Sequence, residues 1–430
     1  MTRVNRPALF FTASALLLVA CGSATSFRAL PDAGSPDAGS PDAGSPDAGS
    51  PDAGSPDAGP TATPVNGSWH PAVIVGSAAA DFGSLTYGPG GFAWVQSSVL
   101  GGGKWALSTA TQTGSGFSNP TSISPNDRLA SLFFADPNNI WASAESASSL
   151  HIYKSTNAGT SWTPQEAFPA QNNSVAGPAW DRSGWIDDGG GNLHVFFGTI
   201  FHNDVVGDHP EVHSLAYSGG AWAATDVAPA LASPGPMIGV FRSGSDFLLS
   251  NGSVNFSQDN GSTYTEEQNA NSADQNIKST GEVALAAGVI YAVNSYDDSS
   301  TGSRFHYAVW RSLDFGHTWA KVFTSPGAPT AFDFTAIAAA GDLLVVEAVE
   351  EATGGSGSPQ LIQSVASGDR GATWTTPIQL IDISSLGNRH VVSLQLAVSP
   401  NGRIGSVYSL EPGATGSGNG GAGVYFSEFY

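Results

Sequence analysis

Six side chains able to hold a metal ion or move a proton fall between positions 202 and 213: His202, Asp204, Asp208, His209, Glu211 and His213. Were 209–213 extended, alternation would put His209, Glu211 and His213 on one face, where imidazole and carboxylate suit a divalent cation. Pro210 and its polar neighbours read instead as a loop, so the six are candidates for a ligand-binding face and no metal is assigned. Asp187 with Asp188, Asp297 with Asp298, and Glu350 with Glu351 offer oxygen ligands of the kind calcium takes. Such pairs are ordinarily solvated, and no cofactor is assigned. The chain has one cysteine, Cys21, so an internal disulfide and a cysteine-rich zinc site are both excluded.

The background composition limits the partners. Thirty-six acidic and 15 basic residues give a formal charge of −21. A phosphate backbone needs a basic surface, so a nucleic-acid partner is excluded. Glycine and proline together number 53 + 27 = 80 of 430 residues, and charged residues are only 12 %. That composition argues against a helical bundle. With 22 Phe, 11 Trp and 10 Tyr the chain has material for a large core.

Cys21 has a chemical use of its own. Arg3 and Arg6 precede the apolar run 8–20, which has the form of a secretory signal and is too short to cross a bilayer. Leu18-Val19-Ala20-Cys21 then resembles the bacterial lipobox, whose cysteine is acylated and becomes the mature N-terminus. The resemblance implies a lipoprotein signal peptide over 1–20, a membrane held through lipidated Cys21, and several acyl chains, as stable anchoring requires. Gly22 stands where an inner-membrane retention Asp would, so an outer-membrane or cell-surface address is expected. Residues 21–64 form a tether in which Pro-Asp-Ala-Gly occurs six times between Pro31 and Gly59. It has too little apolar bulk to offset the entropy of ordering. Thirty such residues would reach at most about 90 Å at the polyproline rise.

Residues 65–430 carry a repeat. Ser155-Thr-Asn157-Ala-Gly159-Thr-Ser-Trp162, Ser257-Gln-Asp259-Asn-Gly261-Ser-Thr-Tyr264, Ser312-Leu-Asp314-Phe-Gly316-His-Thr-Trp319 and Ser367-Gly-Asp369-Arg-Gly371-Ala-Thr-Trp374 share one pattern. Ser and Asp side chains suit a tight turn, Gly supplies φ > 0, and the aromatic residue has an apolar layer to enter. The pattern resembles the Asp box, or BNR repeat, of sialidase-like β-propellers. There the box is a turn on the outer part of a blade, away from the ligand face, so these residues are expected to be structural.

Spacing counts the blades. The aromatic positions 162, 264, 319 and 374 are 102, 55 and 55 apart, and Trp222, Phe117 and Trp69 fill the missing places. Seven aromatics over (374 − 69)/6, about 51 residues, match blades of four strands. The expected fold is all-β: a seven-bladed propeller (six being the alternative) of four-stranded antiparallel blades. After Trp69 the chain reads like the segment after Trp374, and it stops at Tyr430 where another box would begin. Residues 68–76 are therefore expected to complete the last blade and close the ring.

The sialidase resemblance implies three arginines on a substrate carboxylate, a tyrosine nucleophile with a glutamate partner, and an aspartate acid/base, unlike the two-carboxylate pattern of most glycosidases. Arg128 and Arg389, each before an inner strand, and Arg304, in a long loop, are the arginine candidates. Tyr408 with Glu411, and Glu347 on an inner strand, are the phenol and carboxylate candidates. The Arg-Ile-Pro motif of these enzymes is absent, and no arginine occurs between 61 and 127. The second-to-third-strand loops, 201–212, 294–305, 350–359 and 411–422, are long and open opposite the box turns. The function expected is a monomeric, lipid-anchored recognition module for a glycan or surface protein; the alternative is a divergent sialidase-like hydrolase or lyase.

Overall fold

The computed structural model describes residues 65–429 apart from 66, 71, 77–79, 89–90, 101–103, 114–115, 119–120, 126, 146–148, 170–183, 189–191, 204–206, 229–238, 251–253, 261–262, 264, 268–282, 298–304, 329–330, 352–359, 383–388, 400 and 413–422. Residues 1–64, where the signal peptide, lipidated Cys21 and the tether are expected, lie outside the described residues. Among those described there is no helix.

The strands form seven antiparallel sheets, six of four strands and one of five. Sheet 1 has Ala80–Gly88, Gly91–Leu100, Lys104–Thr113, Gly116–Phe117 and a fifth strand, Thr121–Ser124, beside the third. Sheet 2 has Arg128–Phe134, Ile140–Glu145, Ser149–Ser155 and Thr163–Pro169. Sheet 3 has Gly184–Asp187, Leu193–Asn203, Gly207–Ser218 and Ala221–Ala228. Sheet 4 is short, with Gly239–Ser243, Asp246–Ser250, Val254–Ser257 and Thr265–Glu267. Sheet 5 has Val283–Ala286, Val289–Asp297, Phe305–Ser312 and Ala320–Thr324, and sheet 6 has Phe332–Ala340, Leu343–Glu351, Gln360–Ser367 and Ile378–Asp382. Sheet 7 has Arg389–Val398, Ile404–Pro412 and Gly423–Phe429, with Val73–Gly76 as its outermost strand. Six of the sheets are regular four-stranded blades, the number given as the alternative, and five-stranded sheet 1 makes a seventh.

Apolar seams join each sheet to the next, and this makes the assembly a propeller. Ala93 and Ile123 of sheet 1 pack with Leu132, Ile140 and Ala142 of sheet 2. Trp141, Leu150 and Ile152 of sheet 2 meet Leu193, Val195 and Leu215 of sheet 3. The Phe196 and Phe247 rings stand edge to face between sheets 3 and 4, 6.3 Å apart. Gly184 is required there: a Cβ would lie 1.8 Å from Val240 Cγ2. Leu248, Phe256 and Ile290 join sheets 4 and 5, and Tyr291, Val293, Tyr307, Leu344 and Val346 join sheets 5 and 6. Val349, Ile362, Val391 and Leu394 join sheets 6 and 7, and Leu85, Phe92, Val407 and Phe426 return from sheet 7 to sheet 1.

Closure follows the expected route. Val73 pairs with Phe426, Ile74 with Tyr425 and Gly76 with Val424, across a bulge. Trp69 bridges Phe429, and the His70 N–H donates to the Glu428 carbonyl at 2.8 Å. The edge of Gly423–Phe429 is thus covered by the other end of the chain.

The four boxes sit between the third and fourth strands of sheets 2, 4, 5 and 6. In sheet 5 the Gly316 N–H donates to Ser312 Oγ at 2.7 Å, Ser312 Oγ donates to Asp314 at 2.8 Å, and Asp314 accepts from the Thr318 N–H and hydroxyl at 2.8 and 2.6 Å. Ser367, Asp369, Gly371 and Thr373 repeat this in sheet 6. In sheet 2 Asn157 stands for Asp and makes the equivalent bonds with Ser155 and Ser161. Ser257, Asp259 and Thr263 do so in sheet 4, where Gly261 and Tyr264 lie outside the described residues. The residue before each box glycine is left-handed too: Ala158, Asn260, Phe315 and Arg370 have φ of 56, 56, 56 and 58°. The turn before Trp222, which holds one of the missing box places, is a two-residue hairpin through Gly219 and Gly220, φ 62 and 89°, as a primed turn demands.

Desolvation by burial pushes the Asp314 and Asp369 carboxyls up, but the threonine and serine donors win and hold both below the usual range. Four tyrosines move the other way. Burial raises Tyr291, Tyr307 and Tyr408, and raises Tyr153 to about 12 with help from Asp127. A phenol whose folded pKa exceeds its unfolded value stabilises the fold fully below about pH 10 and loses that contribution as pH rises further. We predict that a phenolate absorbance titration will show four of the ten tyrosines ionising late and together with unfolding. A single smooth step near pH 10, with the fold intact, would contradict this.

Candidate functional site

Successive antiparallel strands place the second-to-third junctions and the fourth-to-first crossovers on the face opposite the boxes. The first strands line the centre. Arg128 and Arg389 are themselves the first residues of the innermost strands of sheets 2 and 7, rather than preceding them. Sheet 1 stands between them, and Arg304, Asp204 and Asp298 lie outside the described residues. Asp297 ends the second strand of sheet 5, opposite Phe305.

The 201–212 segment is not a loop. The second and third strands of sheet 3 pair continuously from Leu193 with Tyr217 to Asn203 with Gly207. Long strands win here because 193–201 is almost wholly apolar or β-branched, and Pro210 at its place in the ladder is tolerated. The register divides the five of these polar residues that are described. His209, Glu211 and His213 occupy positions of one parity, opposite Phe201, Thr199 and Phe197, while His202 faces Asp208 in the other set. Among the described residues no cluster of three or more metal-binding side chains occurs.

Glu347 and Tyr408 are brought together, but not at a channel mouth. Both lie on second strands, of sheets 6 and 7, so Glu347 is not on an innermost strand as expected. They face the seam between those sheets and are only 1 and 2 % exposed. Glu347 Oε2 accepts from Ser406 Oγ at 2.6 Å. Tyr408 stacks parallel to Tyr425 at 5.4 Å, and burial together with the Glu347 charge raises its phenol far above the ordinary value. A nucleophilic phenol must be deprotonated and reach its substrate; this one is held neutral and covered.

The face opposite the boxes carries a group that the sequence did not single out. Asp127, 1 % exposed, precedes the innermost strand of sheet 2. Both its carboxylate oxygens lie 3.0 Å from His151 Nδ1, and Asp127 Oδ2 accepts from the Tyr153 hydroxyl at 2.5 Å. His151 and Tyr153 alternate on the third strand of sheet 2, so strand period alone puts both on one side. Their alternation was the one signal available. On sheet 5, the Tyr296 and His306 rings stack at 5.5 Å and 23° beside the same kind of junction, with Lys321 Nζ 5.6 Å from the Tyr296 centroid. His306 Nδ1 donates to the Ser325 carbonyl at 2.9 Å.

No family model matches the chain, and no curated protein matches it. Solved structures do. YCF48 bound to a D1 peptide is 14 % identical, with a TM-score of 0.47 over 84 % of this chain and 94 % of that one. An ancestral GH74 enzyme is also 14 % identical, with a TM-score of 0.46 over 83 % of this chain but only 47 % of its own. Trypanosoma rangeli sialidase with 2,3-difluorosialic acid is 12 % identical, with a TM-score of 0.40 over 86 % of this chain and 59 % of its own. At these identities the likeness concerns the fold alone.

Proposed function

We propose that this chain is a lipid-anchored envelope protein whose propeller presents the face opposite its box turns to a glycan or to a surface protein. The observation that carries this reading is the position of Glu347 and Tyr408, the two candidates for covalent sugar chemistry whose side chains are described. They are sealed between sheets 6 and 7, while the opposite-to-box face offers aromatic and hydrogen-bonding groups in His151, Tyr153, Tyr296 and His306, the first two backed by buried Asp127. Rigid rings and fixed polar groups suit recognition of hydroxyl-rich ligands. Cys21 would carry the acyl chains, with the tether over 21–64 setting the propeller off an outer-membrane or cell-surface leaflet. The divergent hydrolase or lyase is a second reading, favoured only by Arg128 and Arg389 heading two innermost strands.

Two experiments test the reading. Cys21→Ala should release the protein from the membrane fraction, and retention there would oppose the anchor. Full-length protein should bind a subset of a glycan array or cross-link to a discrete surface protein; failure in both would remove the recognition function.

A further inference from the structure

His151 is the place where the described structure comes nearest to specifying a ligand's chemistry. Asp127 accepts at 3.0 Å from Nδ1, so in the neutral ring the proton is on Nδ1 and the lone pair on Nε2. The carboxylate that fixes this tautomer is 1 % exposed and held from a second side by Tyr153, whereas the imidazole is 27 % exposed. A buried, doubly bonded orienting acid behind a partly exposed imidazole keeps one basic nitrogen in a constant direction.

Of its neighbours in the register, Ala144 is buried against sheet 1 and Ala167 is exposed, so the open side lies toward the outermost strand. Register aligns Ala130, Ala144, His151 and Ala167 across all four strands of sheet 2. His151 is thus the only large side chain in its row. Glu145 and Glu166 occupy positions of the other parity, opposite Leu150 and Ile152, and a bulge between Arg128 and Ala130 sets Arg128 opposite Glu145. Among the described residues the acid in contact with the imidazole is Asp127, and Tyr153 contacts that acid rather than the ring nitrogen.

We propose that His151 Nε2 is a hydrogen-bond acceptor for a hydroxyl of a neutral saccharide bound at the sheet 2 rim. This rests on the glycan-recognition reading and narrows it. A lone pair backed by a carboxylate attracts O–H donors and repels carboxylate or sulfate oxygens, and the chain's charge of −21 acts in the same sense. Neutral hydroxyl-rich glycans are therefore selected over sialosides and uronates.

The test uses full-length protein on an array that pairs neutral oligosaccharides with carboxylated ones, followed by titration of the best neutral oligosaccharide. The expected result is binding to neutral members, weakened about tenfold in His151→Phe and by much less in His151→Gln, which restores an acceptor. A tenfold loss corresponds to one hydrogen bond to a well-placed partner. Unfolding midpoints of both variants separate this from a folding defect, since Phe and Gln each leave Asp127 with Tyr153. Neutral-glycan binding unchanged in His151→Phe overturns the assignment and leaves glycan recognition standing. Binding confined to carboxylated members also overturns it. Silence of the wild-type protein across the whole array overturns both, leaving a protein partner.

Discussion

Replacing Trp69, a half-buried tryptophan, by alanine is expected to lower the unfolding free energy by about 3 kcal/mol, the lower end for truncating a packed tryptophan. Trp69 ties three parts of the closure together. Its ring stands edge to face on Phe429 at 5.5 Å, its Nε1 donates to Ser364 Oγ at 3.1 Å, and it packs on the seam built from Ala338, Val345, Ile404 and Phe429. Ser364 is 2 % exposed, so its hydroxyl would lose its tryptophan donor inside the protein. Ser364→Ala should cost far less, about 1 kcal/mol, because it removes the hydrogen bond and keeps the ring. Denaturant midpoints at equal slopes measure both. Equal losses, or a Trp69→Ala protein as stable as wild type, would mean that the N-terminal segment does not hold the ring shut.

Two box glycines should respond very differently to the same substitution. Gly316→Ala is expected to cost about 3 kcal/mol, combining strain at φ +96° with overpacking. Its Cβ would lie 2.6 Å from Leu248 Cδ1 and 3.0 Å from Phe256 Cζ, both across the seam in sheet 4. Gly371→Ala meets nothing closer than Val322 Cγ2 at 3.2 Å, so the strain at φ +82° is nearly the whole cost, about 1 kcal/mol. The turn chemistry at the two places is the same, and the difference comes from the neighbouring sheet. Equal destabilisation in thermal or denaturant unfolding would show that the turn alone decides.

These pairs also mark how far the sequence could be read. The box spacing, the aromatic count and the likeness of the segments after Trp69 and Trp374 led to an all-β ring closed by residues 68–76, because turns and strand ends are local. The 201–212 hairpin was not legible: Pro210 and the acids signal a loop, and only pairing with the apolar 193–201 strand extends the ladder to Gly207. Glu347 looked like an inner-strand acid because position along a blade can be counted, whereas the strand's place across the sheet and the seam it faces cannot. Asp127 and His151 are 24 positions apart and meet through a crossover and a strand register, neither of which leaves a spacing pattern. The left-handed residue before each box glycine was likewise hidden, since Ala, Asn, Phe and Arg share no propensity for it.

Recognition without turnover is the central claim. The measurement that tests it most directly is a fluorogenic glycoside panel, sialosides included, run on the same full-length protein and beside direct binding to the matching unlabelled sugars. The account predicts saturable binding with no product above the uncatalysed background, for the wild type and for Arg389→Ala alike. Product formation that Arg389→Ala abolishes would contradict it and place a hydrolase at the mouth of the propeller.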